Sequence, residues 1–258
     1  MSSVEGFALP GSRALGCLLV HGFTATPEEM RPLGEALAAR GFPVRAVRLA
    51  GHGTEVAELT HTRWQDWFAS VVAGAALLRA EVARVAVVCM SLGALLALHL
   101  ASVRPAEVEA LVLCGAPLRL RDPRLRLLPL AVRVPWIAQR FATIPKRDGP
   151  DIADAVARAA SRSYRVMPLA AVVELLRLQG IVRREVGRVT QPTLLLHGRH
   201  DHSAPVANLD LLRRRLGSRV VEAHVLERSW HVITLDHDRV EVARRAGDFL
   251  ARVEAHRL

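Results

Sequence analysis

The amino-acid sequence predicts an α/β fold: a mostly parallel sheet with helices on both faces, interrupted once by an inserted helical cap segment. Two observations carry this expectation. Six short, nearly continuous apolar runs are separated by stretches with helical spacing, as successive βα units require. This alternation of strands and helices suits a mostly parallel sheet covered on both faces. The alternation stops after Cys114-Gly115-Ala116-Pro117 and resumes only after about Gly187, with a proline-broken stretch between.

The strands are expected at Cys17 to Val20, Val44 to Leu49, Val85 to Cys89, Leu111 to Cys114, Thr193 to Leu196 and Val220 to Val225. After the first strand comes His21-Gly22-Phe23, then a helix start in which Thr26 caps, Pro27 occupies the first turn and Glu29 reaches back to the Thr26 amide. That helix runs to Arg40 and stops at Gly41. Further helices are expected at Trp64 to Arg79, Leu92 to Val103, Val206 to Leu216 and Arg239 to Arg252. Residues 118–187 hold no strand signal but carry Pro123, Pro129, Pro135, Pro145, Pro150 and Pro168, with helical runs at Asp151 to Arg165 and Leu169 to Leu178. The expected division is therefore a core of residues 1–117 and 188–258 with residues 118–187 inserted as a helical cap. Leu125, Leu127, Leu128, Leu130, Trp136, Ile137, Phe141 and Ile144 are the cap's candidate lining for a cavity; each of them equally suits plain packing of the cap onto the sheet.

The chemistry concentrates where strands end. In VAVVCMSLGALLALH, Val85 to His99, an apolar strand stops at Ser91 and a helix begins at once, the pattern of a nucleophile elbow. Gly93 supplies the small residue that such a turn needs, and Cys89 supplies it only approximately; taken alone, Ser91 also fits an ordinary helix N-cap. TLLLHGRHD, Thr193 to Asp201, ends a strand on an acid, and the last strand is followed by Glu227-Arg228-Ser229-Trp230-His231. The carboxyl ends of parallel strands share one edge, so Ser91, Asp201 and His231 can converge there despite their separation in sequence. His197, His200 and His202 crowd around Asp201, but their spacing matches no zinc motif and no cysteine accompanies them, so no metal site is expected. His21 and His52 are expected to brace their own loops, and Asp236 and Asp238 to cap the following helix.

LLVHGFTATPEEM, the Gly51-His52-Gly53 turn, HTRWQDW from His61, VCMSLG, LLLHGRHD and SWHVITLD from Ser229 together resemble the α/β-hydrolases, and most of all small bacterial carboxylesterases and monoacylglycerol lipases with a helical cap. The resemblance covers both ends and the middle of the chain; residues 118–187 share with it little more than helical composition. It implies a serine hydrolase acting on carboxylic esters without a cofactor, with Ser91 as nucleophile, His231 as base and Asp201 orienting it. It also implies an oxyanion hole made by the backbone amides of Phe23 and Leu92. The departures are Cys89 for a glycine, Ala94 for the glycine that often follows Gly93, and Trp230 for the glycine that commonly precedes the histidine. Other acyl bonds remain open on the same scaffold, namely a thioester, a carbon–carbon bond or acyl transfer, as does a catalytically silent binding protein.

Composition bounds the partners. The formal charge is +10 across 258 residues, but Lys146 is the sole lysine and the arginines are scattered, so a nucleic-acid partner is not expected. Apolar residues make up 51% of the chain with no run of transmembrane length, which excludes stable membrane insertion as an expectation. Residues 1–10 contain Glu5 and lack the basic cluster and apolar run of a signal peptide, and Cys17, Cys89 and Cys114 are odd in number and fall in or beside apolar runs. Both point to the cytoplasm. The expected partner is a small-molecule ester; oligomeric state is not readable.

Overall fold

The computed structural model describes residues 4–131, 142–146 and 149–256. Its main sheet has seven strands: β1 (Phe7–Leu9), β2 (Leu15–Val20), β3 (Val44–Val47), β4 (Arg84–Met90), β5 (Ala110–Cys114), β8 (Thr193–Gly198) and β9 (Val221–Leu226). They lie in the order β1-β3-β2-β4-β5-β8-β9, every pair parallel except β1 with β3.

The runs that form β2, β4, β5 and β8 are strands buried on both faces, while β3 and β9 keep partly exposed residues. Along β2 and β4, Leu18, Val20, Val85, Val87 and Cys89 join one core, while Cys17, Leu19, Ala86, Val88 and Met90 join the other. Helices Trp64–Arg79 (α3), Leu92–Val103 (α4) and Leu169–Glu185 (α7) cover the first face. Helices Arg31–Ala39 (α1) and Arg239–Glu254 (α9) cover the second. Helix α4 is buried from Leu92 through Ala101, which explains its lack of a polar stripe.

Register sets the functional edge. Val20 pairs with Cys89, Met90 with Cys114, Cys114 with Leu196 and Gly198 with Leu226. The loops after β2, β4, β5, β8 and β9 therefore leave the sheet side by side, at the carboxyl edge where open α/β sheets form their clefts.

Several expectations are corrected. Edge strand β1 and the short helix Val56–His61 (α2) carry too few residues for a periodic signal. The helix expected at Pro27 to Arg40 is a 3-10 turn, Pro27–Met30, followed by α1. Glu29 does not cap Thr26; its carboxylate accepts the Gly22 amide instead. The inserted segment does hold strands, β6 (Thr143–Pro145) and β7 (Val166–Pro168), paired antiparallel with a proline at one end of each. The helix expected over Asp151 to Arg165 shrinks to Ala155–Ala160 (α6), capped by the Asp154 side chain on Val156 and Ala157. Of the candidate cavity residues, Trp136, Ile137, Phe141 and the Leu130 side chain lie outside the described residues, and Leu127 is 63% exposed.

Candidate active site

Ser91 sits at the tip of the β4–α4 turn with φ 51° and ψ −111°, a left-handed backbone that costs a non-glycine residue about 1–3 kcal/mol. Its surroundings hold it there. The Ser91 amide donates to the Cys114 carbonyl at 2.9 Å, and α4 begins at the next residue. A Cβ on Gly93 would stand 2.4 Å from the Val20 carbonyl oxygen, so only glycine lets the new helix start against β2. Cys89 needs no glycine backbone: it is buried in the core between β4 and α4, and its thiol, pushed up by burial and so protonated, donates to the Val112 carbonyl at 3.3 Å.

The structure brings Ser91, Asp201 and His231 together. Ser91 Oγ and His231 Nε2 are 2.8 Å apart, and His231 Nδ1 and Asp201 Oδ2 are 2.6 Å apart. With the Asp201 carboxylate as acceptor, Nδ1 carries the proton and Nε2 is left to accept from the serine. Asp201 is itself held: its Oδ1 accepts the amides of Ser203 at 2.8 Å and Ala204 at 2.7 Å. His197 Nε2 lies 2.9 Å from Asp201 Oδ2 and 3.0 Å from the Ala204 carbonyl oxygen, both acceptors, so it too is a donor. Burial alone would push Asp201 up, but the two imidazoles outweigh it and hold the carboxyl well below its ordinary range. Burial likewise pulls His231 down, and the Asp201 charge and hydrogen bond reverse that, leaving the imidazole above its ordinary value.

Trp230, like Cys89, takes the place of a glycine without strain, since the positive-φ non-glycine residues among those described are Thr24, Ser91 and His256. The glycine that this loop does require is Gly198, where a Cβ would fall 1.9 Å from the Trp230 carbonyl oxygen.

Phe23 and Leu92 flank the serine from two sides. Leu92 is the first residue of α4, so its amide belongs to the helix N-terminus, where no intrahelical acceptor exists. Phe23 follows Gly22, and a Cβ on Gly22 would stand 3.4 Å from Ser91 Cβ and 3.0 Å from Glu29 Oε1. Glu29 accepts the Gly22 amide at 2.7 Å and so pins the loop that carries Phe23. His21 and His52 brace the same region through backbone: His21 bonds the Gly22 carbonyl and the Leu49 amide, His52 the Ala50 carbonyl.

A cavity of about 740 Å³ opens over Ser91 and His231. Residues between 118 and 187 supply apolar walls, including Leu120, Leu125, Ile144, Met167, Val172 and Leu175. Polar groups stand among them. Lys146 donates to the hydroxyls of Thr24 and Ser163 and is pushed down to about 8 by burial, against the pull of Glu29. Burial also pushes Glu29 up, against the Gly22 amide and the charges of His231 and Lys146.

Sequence reasoning missed Glu29, Lys146 and the support that His197 gives Asp201. The three histidines around Asp201 diverge: His197 faces it, His202 pairs with Asp151 at 2.8 Å, and His200 is exposed. Neither Asp236 nor Asp238 caps α9 through its side chain; both bind loop amides instead. The signal for all of these is weak, because a lone carboxylate or imidazole in a loop does not announce its partner.

A family model described as serine aminopeptidase, S33, matches residues 12–238. A thermostable monoacylglycerol lipase of Bacillus sp. (strain H-257) is 32% identical over 246 residues, covering 92% of this chain and 91% of the relative. A carboxylesterase of Bacillus subtilis (strain 168) is 26% identical over 238 residues, covering 92% of each. The solved structure from work on the metagenome-derived lipolytic enzymes LipS and LipT superposes with a TM-score of 0.88 at 30% identity, covering 99% of both chains. Matched over nearly its whole length in sequence, and with the seven-stranded sheet and its carboxyl-edge cleft in place, the chain belongs to this serine hydrolase family of the α/β-hydrolase fold.

Proposed function

We propose that this enzyme hydrolyses short- to medium-chain carboxylic esters, monoacylglycerols among them, through an acyl intermediate on Ser91. The observation that carries the reading is the continuous relay from Asp201 through His231 to Ser91 Oγ at the floor of a largely apolar cavity. The monoacylglycerol lipase and the carboxylesterase among its relatives support an ester as the bond cleaved.

In this mechanism His231 Nε2 takes the Ser91 proton as Oγ attacks the ester carbonyl, and Asp201 stabilises the imidazolium that forms. The tetrahedral oxyanion accepts hydrogen bonds from the Phe23 and Leu92 amides, a contribution of about 3 kcal/mol for each donor in comparable sites. The imidazolium then protonates the departing alkoxide, and the acyl group stays on Oγ. Water enters, loses a proton to His231 and releases the acid, restoring Ser91. Residues 118–187 serve as the cap whose apolar walls receive the acyl chain. Cys17, Cys89 and Cys114, all free thiols in buried strands, suit a reducing cytoplasm.

Two tests bear on this reading. Burying each methylene contributes about 0.8 kcal/mol, so kcat/KM for p-nitrophenyl esters should climb from two carbons and peak at about four to ten. A dissolved monoacylglycerol should be cleaved, and emulsified triolein should be poor because the cap obstructs bulky triacylglycerols. Faster turnover of triolein than of a dissolved medium-chain ester overturns the assigned role of the cap.

The second test is pH. His231 works as a base only when neutral, and Asp201 raises its value, so activity should rise through roughly pH 6 to 8 and then level. His21, pushed down to about 4 by burial, and His52, pushed well below its ordinary value, are neutral across that window and do not shape the profile. A flat profile with chemistry limiting removes the imidazole from the mechanism.

A further inference from the structure

The loop that carries His231 runs from the end of β9 at Leu226 to the start of α9 at Arg239, with no sheet or helix hydrogen bonds to fix it. A few backbone bonds tie it down, such as the His200 amide to the Ser229 carbonyl, and side chains hold much of the rest. Asp236, fully buried, receives four backbone amides on its two carboxylate oxygens. Oδ2 accepts from Trp230 at 2.9 Å and Ala153 at 2.8 Å; Oδ1 accepts from Asp154 at 2.9 Å and His237 at 2.8 Å. Four donors fill the acceptor capacity of a carboxylate.

The donors come from two parts of the chain. Trp230 immediately precedes His231, while Ala153 and Asp154 form the turn that leads into α6 of the inserted segment. The same turn is fastened twice more. The Asp151 carbonyl accepts the Val232 amide at 3.1 Å, and its carboxylate accepts the His202 amide and the Ser203 hydroxyl, both at 3.0 Å. The turn at 151–154 thus touches the Asp201 loop on one side and the His231 loop on the other, and the Asp236 side chain is the buried acceptor at the junction.

We propose that Asp236 is a positioning residue that locks the His231 loop to the 151–154 turn and so sets the imidazole between Ser91 and Asp201. This inference rests on the proposed roles of those three residues. A neutral asparagine offers one oxygen where four N–H groups point, so two amides lose their acceptor and the loop loses its fixed height. His231 then drifts from both partners. The groups whose charges act on it are Asp201, Asp151 and Glu29, all of which raise its value, and of these Asp201 is the one in hydrogen-bond contact.

The test compares Asp236→Asn with the parent on one p-nitrophenyl ester. Expected are a fall in kcat of about tenfold or more, a KM within about twofold, and an acid limb of kcat/KM displaced to lower pH, because an imidazole parted from Asp201 loses the charge that raised it. Asp238→Asn is the control: Asp238 accepts the Arg228 amide and the Ser229 hydroxyl in the same loop but holds neither Trp230 nor the turn, and its acid limb should match the parent's. If Asp236→Asn does not fold, a second pair decides. Residue 154 has φ −61°, which proline adopts, so Asp154→Pro removes the amide donated to Asp236, whereas Asp154→Ala removes only the side chain that caps α6. The proline variant should be several-fold slower than the alanine variant, with its acid limb lowered. A folded Asp236→Asn with parental kcat and an unmoved limb overturns the proposal, as does equality of the two Asp154 variants. Failure of the parent itself to hydrolyse any ester would instead strike the functional reading.

Discussion

Ser91→Ala should remove ester hydrolysis, by at least about 10⁴-fold in kcat, while the protein melts within a few degrees of the parent. The hydroxyl proposed as nucleophile is lost, but the elbow is not. Alanine keeps a small side chain at a position whose φ of 51° strains serine and alanine alike, and the hydrogen bond from the residue-91 backbone N–H to the Cys114 carbonyl is untouched. Among the described residues the hydroxyl's one hydrogen bond is to His231, whose other nitrogen remains on Asp201, so the loss to stability is small. A fluorophosphonate probe supplies the second readout: it should label the parent at Ser91 and leave the variant unlabelled. Turnover within tenfold of the parent, or labelling of the alanine variant at parental rate, sinks the assignment of Ser91.

Much of the site was legible because Ser91 and Asp201 each follow a strand whose apolar run is unmistakable, whereas the strand before His231 holds Glu222 and His224 and is only partly buried. Val85 to Cys89 and Thr193 to Leu196 stand out by burial alone, and the parallel sheet then brings their carboxyl ends to one edge. Helices α3 and α4 were also readable to the residue, as long segments of good helix formers with clear ends. Short elements were not. β1, β6 and β7 span three residues each, too few for a period to appear, and the prolines that end β6 and β7 read as breaks.

The missed polar contacts share a different cause. Thr26-x-x-Glu29 has the spacing of a capping box, yet the buried Gly22 amide offered the carboxylate a better use. Asp236 lies two residues ahead of Asp238, the residue at the N-cap position of α9, and capping was the natural reading of both. Its actual donors at Ala153 and Asp154 lie more than eighty residues upstream in sequence. Local spacing carries no information about a donor that only tertiary structure delivers. His197 shows the same limit, since its alignment with Asp201 depends on the turn that brings the Ser203 and Ala204 amides onto the acid.

Asp201→Asn should cost about 10⁴-fold in kcat near neutral pH with little change in KM, and the reason lies in how its four donors are arranged. Oδ1 faces two backbone amides, from Ser203 and Ala204, that cannot turn away. An asparagine must therefore place its one carbonyl oxygen there and its NH₂ where Oδ2 stood, facing His231 Nδ1 and His197 Nε2. The opposite flip would set NH₂ against two N–H donors. In the favoured orientation the amide donates to His231 Nδ1, which drives the ring proton to Nε2, and a protonated Nε2 cannot take the Ser91 proton. Loss of the carboxylate charge also removes the largest of the contributions that hold His231 above its ordinary value, so whatever activity survives should show an acid limb at lower pH than the parent. The protein should stay folded, because the asparagine still satisfies both backbone amides. The measurement is kcat and KM on one ester from pH 5 to 9 for both proteins. A loss below tenfold, or one carried wholly by KM, would remove Asp201 from the relay and leave the imidazole oriented by something else.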